Sequence, residues 1–314
     1  MSPWIFFGLI QMEKFANIEI RFSRFLKNLR IRIRCINSPY DLKYIIDYNQ
    51  QIIQMKNIII QGINWDAKSS FQKGPAKAPD LIRKALYSDS MNLCTELGIS
   101  IENDAISDKG DFIINEYFDI AATTKKHLDT GSKVLTLGGD HSITFPIIKA
   151  YHDQHPKLDI LHIDAHADLY HNYEGDPYSH ACPFARIMEN GFAVKLVQVG
   201  IRTLNPHQAA QAKKYKVDIH EMRNLDLNNI PKFKNPLYIS LDMDGFDPAF
   251  APGVSHHEPG GLSSRQVINL IQSIDTEVVG ADIVEYNPDR DFQDMTAYLA
   301  AKMMKELLGK MLER

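Results

Sequence analysis

The chain has 314 residues, 44% of them hydrophobic, and a formal net charge of −4. That length suits one large α/β domain or two small ones with a substantial core, and the mild acidity gives no electrostatic basis for a nucleic-acid partner. Three cysteines, Cys35, Cys94 and Cys182, are odd in number and far apart, which argues for free thiols in a reducing compartment, and no apolar run reaches bilayer-spanning length.

The first 54 residues read differently from the rest. MSPWIFFGLI is greasy, but it has no basic flank and is followed by Glu13 rather than a small-residue cleavage site, which argues against a secretory signal. Arg21, Arg24, Lys27, Arg30, Arg32 and Arg34 then form an acid-poor basic stretch ahead of a Tyr- and Gln-rich segment. Three readings stand: a mitochondrial presequence, because such leaders are Arg-rich and acid-poor; an added helical arm; or a biological start at Met55, where MKNIIIQGINWD opens a strand. The third is preferred, with a cytoplasmic location. The expected division is an extension over 1–54 and one catalytic domain over 55–314.

From residue 55 on, apolar runs that read as strands (57–61, 133–137, 159–163, 194–199, 237–241 and 278–283) alternate with helical patterns such as 80–86, 112–128, 264–274 and 294–312. Short apolar strands separated by amphipathic helices indicate a parallel sheet covered on both faces.

Three of those strands are followed by chemistry. Residues 138–142 read Gly-Gly-Asp-His-Ser, 164–168 Asp-Ala-His-Ala-Asp, and 242–248 Asp-Met-Asp-Gly-Phe-Asp-Pro. The carboxyl ends of parallel strands carry ligand and catalytic groups in such sheets, so two histidines and at least four aspartates reach one edge. Asp164, His166 and Asp168 alternate by two, which points all three to one side of an extended segment, and Asp242 and Asp244 do likewise. Crowded carboxylates repel and raise one another's pKa; bound divalent cations remove that cost. With Asp164 and Asp242 bridging, the set divides into two sites of one imidazole and several carboxylate oxygens each. Thiolate-free, oxygen-rich ligation suits manganese, two ions per chain, with cobalt, nickel or iron as substitutes, and disfavours structural zinc. Two metals about 3.5–4 Å apart can bridge a water and lower its pKa. One such motif alone is more often a helix cap or an acidic turn. Three of matching polarity, each directly after an apolar strand, are a metal centre.

GGDHS at 138–142, DAHADLY at 164–170 and SLDMDGFDPAFAPG at 240–253 resemble the signature motifs of the ureohydrolases, the arginase and agmatinase family, and GPAKAPDLIR at 74–83 resembles a further element of it. The resemblance runs from about residue 58 to the C-terminus. It implies a three-layer α/β/α fold around an eight-stranded parallel sheet, a homo-oligomer (trimer or hexamer), and hydrolysis of a small guanidino substrate to urea and an amine. It further implies His141, Asp164, Asp168 and Asp242 as ligands of one manganese, and His166, Asp164, Asp242 and Asp244 as ligands of the other. Asp168 would also hold the bridging hydroxide. His180 falls where the family has its proton-shuttling histidine, and Glu285 where a glutamate pairs with the guanidinium. Both roles suit the chemistry, which needs a carboxylate to orient a planar cation and an acid to protonate the departing nitrogen.

Residues 173–205 and 251–261 look most like plant-type arginases and their bacterial relatives. That resemblance implies L-arginine as substrate, with agmatine as the alternative, because the serine/asparagine loop by which animal-type arginases hold the amino-acid carboxylate is absent. Asn205, at the position of an animal-type aspartate, and His257 are the expected rim contacts, and both His256 and His257 also read as plain loop residues. Cys182, close to His180, is expected as neither ligand nor nucleophile. An amide deacetylase on a related fold, a hydrolase of another guanidino compound such as guanidinobutyrate or guanidine, and a silent guanidine-binding protein are the other readings; the intact ligand positions argue against the silent one.

Overall fold

The computed structural model describes residues 18–20, 31–33 and 57–313. Two short strands, β1 (Ile18–Ile20) and β2 (Ile31–Ile33), pair antiparallel within a unit formed by residues 1–55. The presequence, arm and start-site readings of that extension otherwise lie outside the described residues.

The second unit contains β3 (Ile58–Ile63), α1 (Ala78–Leu86), β4 (Ile106–Phe112), α2 (Asp119–Leu128), β5 (Lys133–Leu137), α3 (Thr144–His152), β6 (Asp159–Ile163), α4 (Pro183–Glu189) and β7 (Lys195–Ile201). It continues through α5 (Pro206–Tyr215), β8 (Asp218–Glu221), β9 (Leu237–Asp242), α6 (Ser264–Ser273), β10 (Val278–Val284) and α7 (Met295–Leu312). β3 to β10 form one sheet in the order β4-β3-β5-β10-β9-β6-β7-β8, and every pairing is parallel. This is the expected eight-stranded α/β architecture.

The six apolar runs are its six inner strands, with 133–137 and 159–163 bounded as read. The two edge strands, β4 (ISDKGDF) and β8 (DIHE), escape the hydrophobic pattern because neither contains a fully buried residue. The helix expected over 112–128 starts only at Asp119, since Phe112 pairs with Ile63 as the last residue of β4. At α6, Ser263 and Gln266 form a reciprocal capping box that satisfies two otherwise unpaired amides.

Alternation within the strands builds the layers. Leu135 and Leu137 of β5, Leu161 and Ile163 of β6, and Leu237, Ile239 and Leu241 of β9 pack with α1, α6 and α7. Val134, Ile160 and Tyr238 point the other way and pack with α2, α3, α4 and α5. Among the described residues no helix is long and apolar enough to cross a membrane.

One feature of the second face is polar. Gln61, Thr136, Asp282, Ser240, His162 and Gln198 lie side by side in register across β3, β5, β10, β9, β6 and β7, and all are fully buried. Buried polar groups are costly unless hydrogen-bonded, and each residue of the row makes at least one such bond, although Gln61 Oε1 and Gln198 Oε1 have no partner: Gln61 donates to Thr136 Oγ1 at 3.0 Å, and Ser240 Oγ donates to Asp282 Oδ1 at 2.7 Å. It lies directly beneath the edge where the ligand motifs emerge.

Candidate metal centre

The four strands β5, β10, β9 and β6 are consecutive in the sheet, so the segments leaving their carboxyl ends meet. Gly139 makes the approach possible. Its carbonyl accepts the Glu285 amide at 2.9 Å, and a Cβ there would lie 1.6 Å from the Trp65 carbonyl oxygen. Asp140 then caps the turn, accepting from Ser142 N at 3.1 Å and, through its other oxygen, from Lys68 N at 2.9 Å. That carboxyl is raised to about 6, by burial and by the nearby charge of Glu285.

His141 is fully buried. Its Nδ1 lies 3.1 Å from Asp164 Oδ2, 3.2 Å from Asp168 Oδ2 and 3.0 Å from Asp242 Oδ2, yet it makes no hydrogen bond. Its Nε2 is 2.9 Å from Ser240 Oγ. Because the Ser240 hydroxyl donates to Asp282, it accepts from His141, which places the proton on Nε2 and leaves the Nδ1 lone pair facing three carboxylates. Around an octahedral ion with ligands at about 2.1 Å, adjacent donors are about 3.0 Å apart, so the spacing fits a metal.

The second donor set forms around His166, whose Nδ1 is 3.1 Å from Asp244 Oδ2 and 3.4 Å from Asp164 Oδ1. These three residues form a group able to hold a metal ion. The His166 ring is 26% exposed, so this side of the centre opens to the cavity.

Three of the four carboxylates are tethered by a backbone amide. Asp164 Oδ1 accepts from His166 N at 2.5 Å, Asp242 Oδ1 from Asp244 N at 2.7 Å, and Asp244 Oδ1 from Ala165 N at 3.2 Å. Asp164 thus presents Oδ2 to the first set and Oδ1 to the second. Burial and the charges of Asp244 and Asp164 push Asp242 well above the usual carboxylate range, and burial raises Asp244 too. Asp164 is buried as well, but its contacts with His162 and His166 outweigh that and hold it well below. Two divalent cations would relieve this crowding.

Glu285 and His180 face the same cavity. Glu285 Oε1 accepts from His141 N and pairs with His180 Nδ1, both at 2.9 Å. Burial favours neutral His180, but Glu285, Asp140 and Asp168 outweigh it and lift the imidazole to about 9. On its other side, His180 Nε2 is 2.8 Å from Ser70 Oγ. Asp168 and Glu285 both have left-handed backbones, at φ 49° and 61°. Such strain costs about 1–3 kcal/mol per residue and gathers where geometry matters most.

The cavity above these groups, of about 190 Å³, is lined by Ser70, His166, Asp168, Tyr170, Tyr173, His180, Thr203, Gln208, Asp242, Asp244, His256, Glu258 and Glu285 among others. Neither Asn205 nor His257, the expected rim contacts, lines it. Asn205 is committed to helix α5, where Oδ1 caps the N-terminus by accepting from Gln208 N at 3.0 Å and Nδ2 donates to the Tyr170 hydroxyl. The His257 ring turns outward to Pro252 O, at 2.7 Å, and Arg290. Its neighbour His256 points inward, with its ring centroid 5.7 Å from that of His166 and 5.5 Å from that of His180. Cys182 is buried, and burial pushes its thiol up to about 12.

Sequence reasoning missed the supports, His162, Gln198, Ser240 and Asp282, and the wall residues Ser70, Tyr170, Tyr173, Thr203, Gln208 and Glu258. His162 was within reach, since it continues the alternation of Asp164, His166 and Asp168 back into an apolar strand.

A profile of the Arginase family matches residues 56–309. The chain is 45% identical over 273 residues to a mitochondrial arginase of Medicago truncatula, covering 80% of each protein. It is 43% identical over 272 residues to the mitochondrial arginase 1 of Arabidopsis thaliana, covering 79% of each. Among solved structures, an arginase from Medicago truncatula superposes with a TM-score of 0.78 at 43% identity, over 82% of this chain and 88% of that one.

Proposed function

This chain belongs to the arginase family, and we propose that it is a binuclear manganese hydrolase converting L-arginine to L-ornithine and urea. One observation carries the reading. Two imidazoles and four aspartates form two donor sets that share the carboxylate of Asp164, beside a buried Glu285–His180 pair in the same cavity. His141, Asp164, Asp168 and Asp242 would hold one ion; His166, Asp164, Asp242 and Asp244 the other. Bound manganese supplies Lewis acidity and an activated water, which a resonance-stabilised guanidinium requires of its attacker.

The chain's own groups do the rest. Glu285, kept ionised by His180 in spite of its burial, offers its charge to the planar cation and orients it. His180, protonated at neutral pH, is placed to give a proton to the departing amine, which would otherwise be a poor leaving group. Asp168 would serve as a metal ligand and as acceptor for a hydrogen bond from the attacking water.

Arginine and agmatine share the guanidinium and differ at the far end. The cavity wall offers hydroxyls and amides to a carboxylate, through Ser70, Tyr170, Tyr173, Thr203 and Gln208, and Glu258 to an ammonium. A second reading, agmatine, is favoured by one observation: no lysine or arginine is among the lining residues that would pair with an α-carboxylate. Release of urea from each compound at equal manganese decides between them. A higher kcat/KM for L-arginine is expected; a higher one for agmatine replaces the substrate and leaves the chemistry intact.

Residues 55–314 are proposed to suffice for catalysis, because every motif lies there. A protein beginning at Met55 that folded without activity would refute this. The mitochondrial names of the plant relatives favour the presequence reading of the basic stretch 21–34 over a cytoplasmic location, and fractionation of the tagged full chain separates the two. A trimer or hexamer is proposed for the assembly, to be read by light scattering.

A further inference from the structure

His162 sits fully buried on β6, two residues before Asp164, with its ring stacked on Phe184 at a centroid distance of 3.8 Å. Its Nε2 is 2.7 Å from Asp164 Oδ2 and its Nδ1 is 2.9 Å from Gln198 Nε2. The proton positions follow from a third contact. Gln198 Nε2 donates to the Ala167 carbonyl at 2.6 Å. A carbonyl only accepts, so the amide nitrogen faces it, and the second N–H of that amide faces His162. Nδ1 must therefore accept, the ring proton resides on Nε2, and that N–H is donated to Asp164.

His162 falls within a group of donors, with His141 and Asp164, spaced as a metal site. Its two nitrogens are both engaged, one accepting from Gln198 and one donating to Asp164, so no lone pair remains for an ion. Its effect falls on the shared carboxylate. Asp164 Oδ2 faces His141 and Oδ1 faces His166. Only one rotation of the carboxylate plane serves both sets, and the terminal torsion of aspartate is otherwise soft. The backbone N–H of His166 holds Oδ1, and the His162 N–H holds Oδ2.

We propose that His162, oriented by Gln198, is a positioning residue that locks the Asp164 carboxylate as a bridge between the two metal sites. Gln198, His162 and Ser240 are register neighbours in the buried polar row, so the sheet itself sets the relay. This rests on the two-metal reading of the centre.

The test reads metal rather than turnover. Full-length wild-type protein, His162→Phe, His162→Gln and Gln198→Met are equilibrated with Mn²⁺ at several free concentrations. Bound metal is counted and the electron paramagnetic resonance spectrum recorded. Phenylalanine keeps the stacking on Phe184 and removes the N–H; glutamine returns an N–H at similar reach. Wild type is expected to hold two ions with a spin-coupled spectrum. In His162→Phe the affinity for one ion should fall about 10–100-fold, the range for loss of a group that orients a ligand. The spectrum should then shift to isolated Mn²⁺, with recovery in His162→Gln. Two ions bound with unchanged affinity and coupling in His162→Phe would overturn the proposal. Should that variant not fold, Gln198→Met decides: weakened coupling supports the relay and a wild-type spectrum overturns it. Wild-type protein that never takes up a second ion would overturn the two-metal reading itself, and this inference with it.

Discussion

Asn205→Ala separates a substrate contact from a structural cap. Asn205 precedes Pro206 at the first position of α5, in extended backbone, and its Oδ1 satisfies the Gln208 amide. Losing an Asn cap to alanine costs about 0.5–2 kcal/mol, typically ~1. Losing the partly buried bond to the Tyr170 hydroxyl adds about 0.5–1 kcal/mol. A unit of this size loses about 2–4 °C in Tm per kcal/mol, so the midpoint should fall by roughly 2–12 °C. Asn205→Asp keeps the cap and should recover most of the loss. Since Tyr170 lines the cavity and Asn205 does not, kcat/KM should change by less than about tenfold. Thermal unfolding followed by circular dichroism, together with urea-release kinetics, measures both quantities. A normal midpoint with kcat/KM down about 10–100-fold, as for a lost hydrogen bond to a charged ligand group, would refute the cap assignment.

Gly139→Ala should abolish folding or metal uptake, because the added Cβ would collide with the Trp65 carbonyl; soluble protein with full manganese content would contradict the packing described. In metal-free protein, Glu285→Gln should drop the His180 pKa from about 9 towards the ordinary value near 6.5, read by NMR titration of the ring. Since that pKa is raised on folding, the pair stabilises fully below about 6.5 and its contribution fades as pH rises through 9. The variant should therefore lose less stability than wild type between pH 6 and pH 10. Native protein treated with iodoacetamide at pH 8 should be alkylated at exposed Cys94 and spared at buried Cys182, whose thiol is raised to about 12; peptide mapping shows which was modified.

What could be read in advance was whatever buries apolar surface or repeats with a fixed period. The six inner strands are continuous apolar runs because both faces of the sheet are covered, and Asp164, His166 and Asp168 alternate along one extended segment. Strands β4 and β8 lacked that signal because a sheet edge keeps polar residues wet. Helix α3 was hidden differently: from Thr144 to Ile148 every residue is buried, so it has little polar face to set a helical period. The polar row needed strand order and register. Gln61, Thr136, Asp282, Ser240, His162 and Gln198 each sit as an isolated polar residue between apolar or glycine neighbours, scattered over more than a hundred residues of chain. Asn205 followed by Pro206 carries a legible helix-cap signature, which the comparison with animal-type enzymes obscured. Choosing His256 over His257 required the loop's direction, which depends on where Arg290 and Pro252 hold the outer ring.

Urea release from L-arginine by metal-free full-length protein, titrated with Mn²⁺ at protein concentrations well above the dissociation constants, tests the two-metal centre most directly. Activity should be absent without metal and reach its plateau near two equivalents per chain. Asp242→Asn, which alters a ligand proposed for both ions, should need excess metal for either to bind. A plateau at one equivalent, or full activity in the presence of a strong chelator, would contradict the account.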